Sequence, residues 1–188
     1  MTLLERAVVE IAIALESLKI DYMIVGGIAN AVWGEPRATI DVDVTVAVEN
    51  PDLAAAIAGL ARSFSAAIPD PDAFVRRTRV LPLDTADGIR IDVIFALLSF
   101  ERDAVQRATS VTFGDRTVRV VTPEDLLLMK IISDRPRDLA DAEALVRRRA
   151  DTLDRAYLEP RIAEFGESLE RPEIMTRWRQ WMRSIPEK

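Results

Sequence analysis

The stretch GGIANAVWGEPRATIDVDVTV, residues 26–46, combines two glycines with a later pair of aspartates inside an apolar run. Valine and isoleucine favour β-strands, whereas aspartate is depleted in them. Residues two apart in a strand point to the same face, about 6.5–7 Å apart at Cα. Asp41 and Asp43 therefore share one face of the predicted strand over 39–48. Two carboxylates this close repel each other unless a cation neutralises them.

A third acid lies in a second apolar strand, predicted over 88–95, with Asp92 at its middle. If this strand neighbours the first, Asp92 can join Asp41 and Asp43 around a divalent ion, or take the proton of an attacking hydroxyl. Two bridged ions can clamp an in-line phosphoryl displacement. An ordinary solvated sheet face is the alternative, and the acids alone leave both open.

The chain has no cysteine and no histidine among its 188 residues, and its formal net charge is -6. Disulfides, thiolate or imidazole metal ligands and Cys or His nucleophiles are therefore excluded. Any metal site must use oxygen ligands, which favours Mg²⁺, Mn²⁺ or Ca²⁺. The negative charge argues against non-specific coating of nucleic acid. We expect a cytoplasmic protein with no membrane span, because neither a signal peptide nor a long apolar run is present.

Hydrophobic periodicity predicts a mixed order of helices and strands. The predicted strands cover 22–25, 39–48, 88–95, 110–113 and 117–121, and the predicted helices cover 3–18, 28–33, 50–61, 98–107, a segment opening at 122–125, 136–150, 154–166 and 171–184. Residues 63–87 are not assigned to a helix or a strand. We predict an α+β core over 1–121, built on a mixed β-sheet flanked by helices, with a C-terminal helical part over 122–188 packed on it.

The glycine pair matches neither a dinucleotide fingerprint nor a P-loop, because GxGxxG and GxxxxGK[ST] are both absent. What remains is a strand, Gly26-Gly27, a short helix and the Asp-x-Asp strand. Glycines at the start of a helix let backbone N–H groups approach a phosphate. A tight turn that binds no ligand is the alternative.

Lys130 interrupts LLLMKII, a helical segment that is apolar nearly all round. Its ammonium group must either reach water or meet an anion such as a phosphate. Asp138 and Asp141 lie one turn apart further along the chain. They could pair with Arg135 and Arg137, or lie opposite Lys130.

This arrangement resembles the polymerase-β-like nucleotidyltransferase superfamily. It more closely resembles the AbiEii/AbiGii-type nucleotidyltransferases of bacterial toxin–antitoxin and abortive-infection systems. The matching segments are GGIA at 26–29, RATIDVD at 37–43 and TPEDLLLMKIISDRPRDLADAEAL at 122–145. The resemblance covers residues 22 to about 148. It implies the polymerase-β-like fold, and it departs at Gly27, where many superfamily members have serine.

The resemblance also implies an activity, the metal-dependent transfer of a nucleoside monophosphate from an NTP with Mg²⁺ or Mn²⁺ as cofactor. The implied acceptor is an RNA such as tRNA, or a protein hydroxyl, and a cognate antitoxin is an implied partner. Arg76, Arg77 and Arg79 could hold RNA, whereas 147–149 resemble a solvated helix end. A non-catalytic nucleotide-binding or antitoxin-like module with the same fold is the alternative, and a metal-dependent phosphohydrolase is a third.

The implied site residues fall into two sets. The catalytic and metal-binding set is Asp41, Asp43 and Asp92, with Lys130 as a further catalytic residue. The nucleotide-binding set is Gly26, Gly27, Arg37, Thr39, Asp138 and Asp141.

Overall fold

A computed structural model describes residues 1–133 and 135–185, with the side chain of Pro51 left out. The helices in this part are α1 Leu3–Ser17, α2 Gly26–Trp33, α3 Leu53–Leu60, α4 Pro71–Thr78, α5 Ser99–Arg107, α6 Pro123–Ile131, α7 Pro136–Arg149, α8 Arg155–Ser168 and α9 Glu173–Arg183. A short 3₁₀ turn, Asn50–Asp52, precedes α3. The strands are β1 Asp21–Ile24, β2 Asp41–Ala47, β3 Ser65–Ala66, β4 Val80–Asp84, β5 Arg90–Phe95, β6 Thr109–Phe113 and β7 Arg116–Val120.

The strands form one seven-stranded sheet in the order β3-β4-β5-β2-β1-β7-β6. Strand β2 runs parallel to β5, and β1 runs parallel to β7. The other neighbouring pairs are antiparallel. The sheet is therefore mixed, as the sequence predicts.

The chain divides into two compact units. The first contains residues 1–28 and 38–122, and the second contains residues 29–37 with the described residues from Pro123 onward. The division places 29–37 with the C-terminal helices, which the sequence does not indicate. The packing of a 122–188 part on a 1–121 core stays a prediction.

In the first unit, one face of the central strands forms an apolar core because valine and isoleucine alternate with polar residues. Val42, Val44, Ile91 and Val93 are all fully buried. Helix α1 packs against β1 and β7. Its N-cap is Thr2, whose hydroxyl accepts a hydrogen bond from the Glu5 N–H at 3.1 Å. The opposite face of β2 and β5 carries Asp41, Asp43 and Asp92.

The second unit is built from α6–α9 together with residues 29–37, and α6 packs on both α7 and α8. Trp178 is 2% exposed and lies in the core of this unit. The hydroxyl of Tyr157 on α8 donates a 2.7 Å hydrogen bond to Asp125 of α6. Asp125 is fully buried, so this bond satisfies a carboxylate that water does not reach.

The segment 63–87, which the sequence leaves unassigned, contains β3, α4 and β4. Helix α4 is capped at its N-terminus by Asp70, whose side chain accepts a hydrogen bond from the Ala73 N–H at 3.0 Å. Strand β4 contains Pro82, a residue that argues against a strand. In residues 1–133 and 135–185, no helix has both the length and the apolar character that crossing a membrane requires.

Candidate active site

The three predicted acids lie on one face of the sheet. In the parallel pair of β2 and β5, Asp43 is the register partner of Asp92, and Asp41 is the partner of Arg90. Asp41, Asp43 and Asp92 are each half-buried. Because side chains alternate along a strand, all three carboxylates lie on the face opposite the valine core.

The acids do not form a preformed metal cage. Within the described part of the chain, no three carboxylate side chains converge closely enough to hold a metal ion together. This agrees with the way Mg²⁺ binds in nucleotide-using sites, where one or two carboxylates act together with substrate phosphates and water. The donor chemistry therefore fits Mg²⁺ or Mn²⁺ bound together with a nucleotide.

A further ion pair occupies the same face. The Arg90 guanidinium donates to Asp84 of β4 at 2.8 Å, and both side chains remain partly exposed. Burial raises the pKa of Asp92, and the nearby charges of Asp41 and Asp84 raise it further, while Arg90 opposes the rise. The face therefore carries an excess of negative charge, which a cation would relieve.

Gly26 brings the helix α2 turn against the acid strand. Its φ is +61°, and a Cβ at this position would overlap the Asp43 carboxylate. The adjacent Val25 N–H donates to the Asp43 carbonyl at 2.9 Å. Only glycine satisfies both the backbone conformation and the close approach, so the turn and Asp43 are positioned together.

Gly27 leaves room for Thr39, the residue that orients the first aspartate. A Cβ at Gly27 would lie 2.5 Å from Thr39 Oγ1 and 2.7 Å from Thr39 Cβ. The Thr39 hydroxyl donates a 2.8 Å hydrogen bond to Asp41 Oδ1. The glycine at 27 thus has a structural reason, since Thr39 fills the space that a serine side chain would need.

Lys130 neither reaches solvent nor lies unpaired. The residue is 4% exposed, and its ammonium donates to Asp141 Oδ2 at 2.7 Å and to Asp138 Oδ1 at 3.1 Å. Of the alternatives that the sequence leaves open, the structure therefore has the two aspartates opposite Lys130. The two carboxylates replace the hydration that the lysine side chain loses on burial.

Arg37 joins the same network from a distant part of the sequence. Its Nε donates to Asp141 Oδ2 at 3.1 Å, and the Arg37 side chain is 25% exposed. Asp141 is thus shared by two cations, and the group of Arg37, Lys130, Asp138 and Asp141 carries no net charge. Neutrality of this kind is what allows four ionised groups to be largely removed from water.

Ser133 completes the network and was not identified from the sequence. Its hydroxyl donates to Asp138 Oδ2 at 2.9 Å. Burial by itself would raise the pKa of Asp138, but the hydrogen bonds from Ser133 and Lys130 outweigh burial and lower it. A serine at a loop between two helices gives no sequence signal for this role. Asp84 was missed as well because β4 was not predicted, and Arg90, although it lies in the predicted strand over 88–95, was not singled out.

The predicted residues thus fall into two groups. The first unit holds Gly26, Gly27, Thr39, Asp41, Asp43 and Asp92, and the second unit holds Arg37, Lys130, Asp138 and Asp141. Within each unit the structure brings the predicted residues together.

The arginines proposed for RNA have local partners. Arg76 pairs with Asp72 at 2.7 Å, Arg77 lies over the Phe74 ring, and Arg79 donates to Asn50. At the end of α7, positions 147 and 148 are exposed as predicted. The prediction is wrong for Arg149, whose Nε donates to the Trp33 carbonyl at 3.1 Å.

Comparison with protein families matches residues 10–187 to the family described as nucleotidyl transferase AbiEii toxin, type IV TA system. Comparison with curated proteins finds no match.

Comparison with solved structures finds an antigenic nucleotidyltransferase-like protein from Paracoccidioides brasiliensis, with TM-score 0.54, 17% identity and coverage of 98% of this chain and 94% of that chain. The antibiotic-resistance factor ANT(2'')-Ia matches with TM-score 0.56, 15% identity and coverage of 90% and 94%. The lincosamide antibiotic adenylyltransferase LnuA, in a lincomycin-bound form, matches with TM-score 0.51, 15% identity and coverage of 75% and 95%. These likenesses confirm the predicted polymerase-β-like nucleotidyltransferase fold.

Proposed function

Because the chain belongs to the AbiEii nucleotidyl transferase toxin family, we propose that it transfers a nucleoside monophosphate from an NTP to an acceptor, releasing pyrophosphate, with Mg²⁺ or Mn²⁺ as cofactor. The observation that carries this proposal is the register of β2 and β5, which pairs Asp43 with Asp92 and leaves Asp41 on the same face. Three acids that share a half-buried face are costly unless a cation joins them.

In this proposal Asp41, Asp43 and Asp92 hold the metal. A bound divalent ion would neutralise charge that develops on the transferred phosphoryl group. The Thr39 hydroxyl fixes the rotamer of Asp41 through its 2.8 Å hydrogen bond. Asp92 also serves as the group that accepts the proton of the attacking hydroxyl.

The Gly26-Gly27 turn at the start of α2 would bind the triphosphate. Backbone N–H groups at the first turn of a helix are unpaired within the helix and point toward an anion. The lack of a Cβ at Gly26 and Gly27 lets this turn lie against Asp43 and Thr39, next to the proposed metal-binding residues.

Arg37 and Lys130 supply positive charge for the phosphates in this proposal, and Asp138 and Asp141 orient these two cations. Arg37 is the more accessible of the pair, with 25% of its side chain exposed. The 5% exposed Lys130 side chain is held by two carboxylates, which fixes its ammonium group in one position.

The acceptor in this proposal is an RNA 3′ end such as that of tRNA, or a protein hydroxyl. A cognate antitoxin is the proposed protein partner, and the cytoplasm is the proposed location of the reaction. The test is an incubation with each of the four NTPs labelled at the α- or the γ-phosphate, with Mg²⁺, and with total tRNA or lysate protein.

Transfer of the α-label, but not the γ-label, to RNA or protein supports nucleotidyl transfer. Release of labelled nucleotide or phosphate without an acceptor product would instead assign a phosphohydrolase. Nucleotide binding with no turnover under any condition would assign the non-catalytic module.

A further inference from the structure

Arg90, the first residue of β5, lies on the same face of the sheet as the acids of the proposed metal site. Residues two apart along a strand share a face, so Arg90 and Asp92 lie side by side, about 6.5–7 Å apart at Cα. Arg90 is also the register partner of Asp41. No other lysine or arginine occurs in the sequences of β2, β4 and β5. These three strands therefore offer a single cation to an anion that approaches the acid face.

The guanidinium of Arg90 is occupied along one edge only. Its Nε donates to Asp84 Oδ1 at 2.8 Å, and its Nη2 approaches Asp84 Oδ2 at 3.5 Å. An arginine carries five N–H donors in a planar group, and the Arg90 side chain is 45% exposed. The edge formed by Nη1 and the outer N–H of Nη2 is thus open to a ligand. Asparagine at position 84 would still offer an oxygen to Nε, so the open edge does not depend on the charge of Asp84.

The donor nucleotide of the proposed reaction lies on the other side of the acids. The strands follow each other in the order β4-β5-β2-β1. The Gly26-Gly27 turn, which is proposed to bind the triphosphate, follows β1, and a Cβ on Gly26 would overlap the Asp43 carboxylate of β2. The triphosphate is therefore expected on the β1 side of the acids, whereas Arg90 and Asp92 belong to β5, on the opposite side.

The chemistry of nucleotidyl transfer then places the acceptor on the β5 side. The acceptor hydroxyl attacks the α-phosphorus while the bond to pyrophosphate breaks, and the attacking and leaving oxygens stand roughly in line. With pyrophosphate on the β1 side, the hydroxyl arrives from the β5 side, where Asp92 is proposed to accept its proton. An acceptor whose hydroxyl reaches Asp92 has its neighbouring groups within reach of Arg90.

We propose that Arg90 binds the acceptor, through the phosphodiester nearest to the attacking 3′ hydroxyl of an RNA. This phosphodiester is one sugar away from the hydroxyl, and Arg90 is one same-face step along β5 from the proposed base Asp92. The planar guanidinium can donate to two phosphate oxygens at once. A protein hydroxyl has no anion at a fixed distance from it, so the position of Arg90 favours RNA over protein as the acceptor. The inference rests on the nucleotidyl transfer proposed above.

The first test is steady-state kinetics with α-labelled NTP, Mg²⁺ and total tRNA. Arg90→Gln keeps a polar side chain and removes the charge, whereas Arg90→Lys keeps the charge without the planar group. Arg116→Gln is the matched control. Arg116 is also an exposed first residue of a strand, but β2 and β1 separate its strand β7 from β5.

We expect Arg90→Gln to raise the KM for tRNA by at least about tenfold, the usual effect of losing a charge-assisted hydrogen bond. The KM for NTP should stay near the wild-type value. Arg90→Lys should recover part of the loss, and Arg116→Gln should behave as wild type. Circular dichroism checks that each variant is folded. A folded Arg90→Gln protein with the wild-type KM for tRNA, or with a loss confined to kcat or to the KM for NTP, would overturn the proposal.

The second test removes the anion from the acceptor instead of the cation from the protein. A tRNA whose last internucleotide linkage is a neutral methylphosphonate is compared with the same tRNA carrying the normal phosphodiester. The wild-type KM should be at least about tenfold higher for the neutral linkage. Arg90→Gln should show no difference, because two changes in one contact are not additive. Equal sensitivity to the neutral linkage in both proteins would overturn the contact.

The outcomes separate this inference from the proposed function. A wild type that transfers the α-label to neither RNA nor protein would refute nucleotidyl transfer, and the acceptor role of Arg90 with it. Transfer to protein alone would keep nucleotidyl transfer and overturn the role of Arg90. Transfer to RNA that is equally efficient in wild type and Arg90→Gln would also overturn that role alone.

Discussion

Replacing Lys130 with methionine tests the buried ion network directly. Methionine keeps much of the side-chain volume and removes the charge, so two carboxylates lose their shared partner. The Asp138 side chain is 22% exposed and that of Asp141 is 10% exposed, so water reaches neither of them freely. Arg37 still contacts Asp141, which leaves Asp138 with the larger loss.

Removing one partner of a buried ion pair costs about 3–5 kcal/mol, because the remaining charge is left without compensation. The partial exposure of Asp138 and the retained contact of Arg37 with Asp141 give an expected loss of about 3 kcal/mol, at the lower end of that range. With a urea dependence of about 2 kcal/mol per molar, the unfolding midpoint should fall by about 1.5 M.

Tryptophan fluorescence is a suitable probe, since the chain has three tryptophans and Trp33, Trp178 and Trp181 all belong to the second unit. Lys19→Met is the matched control, because Lys19 is exposed at the end of α1. The control should shift the free energy of unfolding by less than about 0.5 kcal/mol.

Adding Asp138→Asn to Lys130→Met should recover part of the loss, because the pair of Asp141 and Arg37 remains intact in the double variant. The single changes are therefore expected to be non-additive by about 0.5–3 kcal/mol. A Lys130→Met protein that unfolds at the wild-type urea concentration would refute the network as described.

Three further changes test individual contacts. Asp92→Asn should raise the melting temperature at neutral pH. Because the pKa of Asp92 is raised in the folded protein, the wild type loses stability as the pH rises from the ordinary aspartate pKa through the folded-state pKa. In acid, where Asp92 is protonated, the melting temperatures of the variant and the wild type should be equal. Asp138→Asn should lower the melting temperature at neutral pH. The lowered pKa of Asp138 means that its carboxylate contributes stability above the ordinary aspartate pKa, and this stability is lost as the pH falls through the folded-state pKa. An unchanged melting temperature would contradict the hydrogen bonds assigned to Asp138. Gly27→Ala should destabilise by about 1–3 kcal/mol through overlap with Thr39, whereas Gly166→Ala, whose added Cβ meets only a 3.4 Å contact, serves as the control in the same thermal melts.

The sequence predicts that the aspartates share a face because this prediction needs only the alternation of side chains along one strand. Alternation along a strand places Asp41 and Asp43 on one face whatever the rest of the fold does. The pairing of Asp43 with Asp92 depends on which strands are neighbours, a property that no local pattern states. The apolar alternation of β2 and β5 nonetheless restricts the register, because a shift by one residue would bury the acids.

The network around Lys130 in the second unit could not be predicted from local sequence patterns. The apolar surroundings of Lys130 indicate that its charge needs a partner, but Arg37 and Asp141 lie 104 residues apart in sequence, and only tertiary structure brings them together. The relation between Gly27 and Thr39 likewise depends on a contact of a few ångströms between a helix start and the segment before β2. The unassigned segment 63–87 was missed because Pro82 interrupts β4 and β3 has two residues.

The central claim is that the acids on the shared face of β2 and β5 hold the metal for nucleotidyl transfer. The most direct measurement compares the Mg²⁺-dependent rate of α-label transfer for wild type, Asp43→Asn and Asp84→Asn. Asp84 is the control, because it lies on the neighbouring strand and pairs with Arg90 at 2.8 Å outside the proposed metal set. The account predicts that Asp43→Asn remains folded and loses about a thousandfold in rate, equivalent to about 4 kcal/mol, while Asp84→Asn stays within about tenfold of wild type. A well-folded Asp43→Asn protein that transfers label at the wild-type rate would contradict it.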